Sequence, residues 1–163
     1  MAFALSACTP TLNWRETRPA ESSVSLLFPC KPDRFMRSLV LADEKVQMAL
    51  SSCAAGDVTY ALSHAEFSDA AHVSAAVQTM HAAAAANLGG SASLVAPLLV
   101  PAMTQNPLSQ RWAVQGKRAD GSTLHQQFSV FSGGLRVYQA TVIGKTLDPV
   151  AADTFFSSLK LTP

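Results

Sequence analysis

Apolar and polar residues alternate in short stretches through the first third of the chain. Val24-Ser25-Leu26-Leu27-Phe28 is a strand-like run, stopped by Pro29 and Pro32. Residues 35–41 form a second run, and Ala42-Asp43-Glu44 reads as a turn. Val46, Met48 and Leu50 alternate with Lys45, Gln47 and Ala49, which predicts a third strand with one buried face. Ala54-Ala55-Gly56-Asp57 ends it, and Val58, Tyr60 and Leu62 alternate again in a fourth.

The period then lengthens. Val73, Val77, Met80, Ala84 and Leu88 recur at helical spacing, after Ser68 and Asp69 as starters. The alanines at 82–86 favour that helix, and Asn87 with Gly89-Gly90 ends it. Residues 91–100 are apolar but hold Pro97 and are followed by Pro101, which predicts an edge strand or an irregular segment. Residues 112–117, 124–131 and 135–143 are strand-like. They are joined by Ala119-Asp120-Gly121 and Ser132-Gly133-Gly134, the chemistry of antiparallel hairpins. Asp148-Pro149 opens a closing helix whose expected buried face is Val150, Ala151, Phe155 and Leu159. Strands, helix, strands, helix, with hairpins rather than βαβ units, predict an α+β fold: a mainly antiparallel sheet with helices packed on it.

Composition narrows the partners. The chain has 163 residues, 48% of them hydrophobic and only 14% charged, with a net charge of +1. That length suits one domain, and the hydrophobic fraction argues against disorder. No cluster of Lys or Arg supplies a basic face for phosphates, so no nucleic acid is expected. No apolar run approaches the ~20 residues that span a bilayer as a helix.

The amino terminus carries a different signal. Leu5-Ser6-Ala7-Cys8 resembles the bacterial lipobox, in which small residues precede a cysteine that is acylated and becomes the new terminus. Residues 1–20 then read as a signal remnant and tether, and residues 21–163 as a single α+β domain. A signal also needs a basic region and an apolar stretch of ~7–15 residues, and only seven residues stand before Cys8 here. With Met1 inside a longer signal, the domain lies on the periplasmic side of a bacterial envelope, anchored by lipid alone. Thr9 then leans toward the outer membrane. With Met1 as the true start, the chain is cytoplasmic.

If Cys8 is acylated, Cys30 and Cys53 remain as a pair in an oxidising compartment. A hairpin turning near Asp43 sets Cys53 opposite residue 33 or so, with Cys30 just upstream, so a disulfide is expected. Closing that loop is worth about 3 kcal/mol in the chain-entropy model. Two free buried thiols are the alternative.

Several details resemble the PsbP-like fold, shared by a photosynthetic oxygen-evolving subunit and a Ran-binding nuclear import factor. They are Phe28-Pro29-Cys30-Lys31-Pro32, the hairpin at 116–121, Leu135-Arg136-Val137-Tyr138 leading into Val142-Ile143-Gly144, and the ending Phe155-Phe156-Ser157-Ser158-Leu159-Lys160-Leu161. Asn13-Trp14-Arg15-Glu16 and the overall texture resemble uncharacterised lipoproteins of β-proteobacteria. The resemblance implies an α/β/α sandwich that acts mostly by binding proteins, and it carries over no functional residue.

Motif chemistry is missing from the sequence. There is no Gly-rich phosphate loop, HExxH, GxSxG or CxxC, so no catalytic residue, metal or cofactor is expected. His72 and His81 share one helix nine residues apart, on opposite sides, and cannot share a ligand. His64 and Glu66 lie on one strand face and read as a partly exposed pair. Trp14 and Arg15 could anchor a partner, or Trp14 could pack back on the domain. The leading expectation is a lipid-anchored envelope protein that binds another protein or supports an assembly. The alternatives are a small-ligand carrier with a pocket between sheet and helices, and an enzyme built from scattered residues such as His64, Glu66 and His125.

Overall fold

The computed structural model describes residues 11–162. Its larger sheet grows from the hairpins. Ala42 and Asp43 both take positive φ, 51° and 62°, which lets a two-residue turn join β3 (Asp33–Leu41) to β4 (Glu44–Ala55). Gly56 at φ 61° turns β4 into β5 (Val58–Glu66). β6 (Ser93–Pro97), β7 (Gln110–Lys117), β8 (Thr123–Gly133) and β9 (Arg136–Gly144) complete seven strands in the order β3-β4-β5-β9-β8-β7-β6, all pairings antiparallel. The segment 91–100 therefore does hold an edge strand. A second sheet joins β1 (Arg15–Thr17), β2 (Val24–Phe28) and β10 (Lys160–Leu161) in the order β1-β2-β10.

The helices cover opposite faces of the large sheet. α1 (Ala70–Ala86) is capped by Asp69, whose side chain accepts from the His72 N–H. It buries Val73, Ala76, Val77, Met80 and Ala84 against Phe128, Val130 and Val137. α2 (Pro149–Ser157) is capped by Asp148, with Pro149 in its first turn. With the small sheet, α2 covers the other face, where Phe28, Tyr60 and Phe155 meet edge to face. The mainly antiparallel α+β class is therefore what the chain adopts.

Three details depart from the pattern reading. Val150 is 72% exposed; α2 buries Ala151, Ala152, Phe155 and Phe156 instead. Two adjacent phenylalanines centre the buried stripe between them, and Val150 then falls on the far side of the helix. Residues 15–17, assigned by pattern to the tether, form β1 and pair with β2, and Asn13 donates to the Pro29 carbonyl at 2.7 Å. Leu159, expected on the buried face of the closing helix, is buried just past its end, and the next two residues, Lys160–Leu161, pair with β2 as β10. Cys30 and Cys53 form a disulfide, with Cα atoms 5.9 Å apart. Its place follows from register, because Asp33 pairs with Ser52. Cys8 and the Leu5-Ser6-Ala7-Cys8 run read as a lipobox lie outside the described residues. Among the described residues no helix is long and apolar enough to cross a membrane.

β4 shows how the layers are offset. Near the hairpin turn its buried residues are Val46 and Met48, under α1. Further on they are Ser51, Cys53 and Ala55, on the opposite face, and Cys53 and Ala55 join the core under α2. Along β4, each face of the sheet is thus covered at one end and bare at the other. β3, at the edge, has no buried residue at all.

Candidate functional site

The bare corner of the sheet is bounded by α1. Glu44, beside the β3–β4 turn, accepts from the Ser68 N–H and Oγ–H, both at 3.0 Å, and so ties that turn to the start of α1. His72 Nδ1 lies 2.9 Å from Asp69 and 3.7 Å from Glu44, and its hydrogen bond to Asp69 raises its pKa. At its other end α1 crosses to the far strands. Gln126 Nε2 donates to the Ala84 carbonyl at 3.3 Å. A Cβ at Gly116 would stand 1.9 Å from the Leu88 carbonyl oxygen, so only glycine lets the chain after α1 seat on β7. This diagonal course leaves a groove of about 650 Å³ between α1 and β3. Its walls include Phe35, Leu39, Leu50 and Met80, with Arg37 the one charged side chain on it.

The groove opens onto β3, an edge of the seven-stranded sheet. Phe35, Met36 and Val40 are 58%, 61% and 71% exposed there. In a two-residue hairpin the pair flanking the turn, here Leu41 and Glu44, is hydrogen-bonded. The odd-numbered residues of β3 therefore bond to β4. The N–H and C=O groups of Arg34, Met36, Ser38 and Val40 point away, toward an absent neighbour. The other edge, β6, is blunted by a register shift between Leu94 and Ala96 and by Pro97. β3 runs nine residues with neither device.

The residues singled out by sequence are scattered. His64 is 5% exposed rather than partly exposed, because Tyr138 and the strand neighbours cover it. Its Nε2 finds no hydrogen-bond partner among the described residues. Burial, and then the Arg136 charge, lower its pKa, which keeps the ring neutral. Glu66 pairs with Arg136 at 2.8 Å instead of serving His64. His64 pairs with Tyr138 and His125 with Gly144 of the same strand. Six residues of β9 therefore separate the two histidines, about 20 Å. No shared catalytic site forms from them. His81 packs against Trp112 and Phe128, and burial lowers its pKa. Among the described residues no group of three His, Cys, Asp or Glu could hold a metal. Trp14 is half-buried and meets Tyr60 edge to face at 6.1 Å, while Arg15 stands exposed on β1.

Phe35, Met36, Arg37 and Val40 were not singled out by pattern. The signal was there: in Asp33-Arg34-Phe35-Met36-Arg37-Ser38 both strand faces mix charge with apolar bulk, so neither face suits a core. No protein-family model matches the chain, and no curated protein matches it.

Proposed function

We propose that the chain is a lipid-anchored envelope protein, with a PsbP-like domain, that docks another protein along the edge of β3. The carrying observation is that edge: nine residues long, apolar in part, and unblocked where β6 is blocked. An extended segment added there gains main-chain hydrogen bonds from the outward groups. It gains side-chain specificity from the adjoining groove. The PsbP-like resemblance supports a binding role, since members of that fold act mostly on proteins. The anchor reading rests on Leu5-Ser6-Ala7-Cys8, with Thr9 favouring the outer membrane. Arg15 sits on β1, the strand next to β2, with Trp14 just before it.

A photo-crosslinking residue placed at Val40 in intact cells tests the docking. A discrete protein adduct is expected from Val40 and none from Leu94 on the blunted edge. Met36→Pro removes an outward N–H without touching the β4 ladder, and it should abolish the adduct. Adducts equally strong from both edges, or insensitive to the proline, would count against the reading. Cys8→Ser should move the protein from the membrane to the soluble fraction. An unchanged membrane fraction would remove the anchor.

A second reading has its own observation. A groove of about 650 Å³ with apolar walls is in the size range of small-molecule sites, so a carrier of apolar ligands is the alternative. Met80→Trp should fill the groove and abolish uptake of such a ligand while sparing the edge.

A further inference from the structure

We infer that the strand docked on β3 belongs to a second copy of this chain, paired β3 to β3, antiparallel, about a two-fold axis through Phe35. The inference rests on the reading of β3 as a docking edge and names its occupant.

The order of side chains on the groove face carries it. Asp33, Phe35 and Arg37 share that face in sequence. A half-turn about Phe35 exchanges positions 33 and 37. Each Asp33 then faces an Arg37 of the other copy, twice over, and Phe35 faces Phe35. Within one chain the two charges stand about 13 Å apart along the strand, too far to meet. Their neighbours across β4 are Ser52 and Met48, neither charged. Among the described residues neither Asp33 nor Arg37 forms an ion pair. The complement of each is supplied by the same strand, turned around.

The backbone agrees. About this axis Arg34 lies opposite Met36, and both present outward N–H and C=O groups. Each such pair can exchange two hydrogen bonds. On that second face the aliphatic stem of Arg34 can lie over the Met36 thioether. The ladder ends at Pro32, which has no N–H to donate. Neighbouring axes fit worse. About Met36, Phe35 would face Arg37, but Asp33 would face Leu39 with no cation opposite it. About Arg37, two guanidinium groups would face each other. About Ser38, Met36 would meet Val40, but Arg37 would face Leu39 with no anion in reach. The Phe35 axis joins two seven-stranded sheets into one and lays the two grooves side by side.

Sedimentation velocity on the 163-residue chain, carrying Cys8→Ser, reads the association directly. A species of twice the 17.2 kDa chain mass is expected to grow with concentration. Symmetry makes each charge reversal count twice. Asp33→Arg and Arg37→Asp should each weaken the dimer about tenfold or more. The double swap Asp33→Arg/Arg37→Asp restores both facings, and should return the affinity to within about threefold of the parent. Under oxidation Phe35→Cys should cross-link to itself and Ser38→Cys should not. A chain that stays monomeric to about 1 mM overturns the inference. So does a double swap no better than the single variants, or a cross-link that favours Ser38. A monomer that still gives a cellular adduct of another protein from Val40 removes the second copy and leaves the docking edge standing.

Discussion

Arg111 leaves β7 on the face that carries α2 and meets three groups there. Its Nε donates to Gln127 Oε1 at 2.8 Å, its guanidinium pairs with Asp153, and its Cζ lies 4.7 Å over the Phe156 ring. The Arg111 side chain is 10% exposed and that of Asp153 67%. Removing the buried partner opens a hole and strands Gln127, so Arg111→Ala should cost about 2–4 kcal/mol in urea unfolding. Asp153 keeps its water, and Asp153→Asn should cost less than about 1 kcal/mol. Equal costs would show that the pair itself, not the burial, matters. His64 supplies the pH dependence. Its folded pKa lies below its unfolded value, so the folded state binds fewer protons. Stability is then full above about pH 6.5 and falls as pH drops through the folded pKa. His81 acts in the same direction, and exposed His72, with its raised pKa, in the opposite one. His64→Leu should lose less stability than the parent between about pH 7 and pH 5, measured by urea midpoints. At this scale the sequence was readable where one residue type has one role. Asp69 and Asp148 were legible as caps. Arg111 was not, since a lone arginine in a strand gives no sign of the helix that will cover it.

Among the elements, the chain leaving α1 rests on β7 with no room for a side chain between them. The Leu88 carbonyl rests where a side chain at Gly116 would begin. Neither backbone can retreat without lifting the end of α1 from the sheet. Gly116→Ala should therefore cost about 2–3 kcal/mol. It should also raise amide exchange at the C-terminal end of α1 more than at its start, which Glu44 holds. Uniform exchange along the helix would show that the contact does not fix its course. The long strands and both helices were legible from period and turn chemistry. β1 and β10 were not, because runs of three and two residues carry no period. They exist only because β2 lies between them, a non-local fact. Val150 was misplaced for a related reason: periodicity gives a stripe, and the packing of Phe155 against Tyr60 sets where the stripe is centred.

Across the whole molecule the two sheets are joined by packing, by the chain between β2 and β3, and by a disulfide. Cys30 follows β2 of the small sheet and Cys53 sits on β4 of the large one. Replacing both by Ser should cost about 3 kcal/mol, read from the unfolding midpoint. An unchanged midpoint would mean that packing alone sets the angle between the sheets. The pairing itself was legible, because the hairpin register brings position 53 back toward position 33. The candidate site was less so. Residues 35–41 read as a strand, but its place at an open edge depends on which strands pair, and the offset of the two helical layers is a tertiary outcome.

The small sheet also has a mechanical meaning. Its middle strand, β2, is flanked by the first strand of the described chain and by the last. A pull on the amino-terminal end loads the three-residue β1 ladder and then β2. At Cys30 the load passes through the disulfide into β4, the strand next to the β3 edge of the larger sheet. Tension from an attachment point could thus draw out chain only as far as residue 30. The oxidised molecule has a built-in stop, and a single-molecule stretching trace should show one short extension before the domain yields. Under reducing conditions that stop should vanish, and the trace should run on through β3 and β4 without a pause.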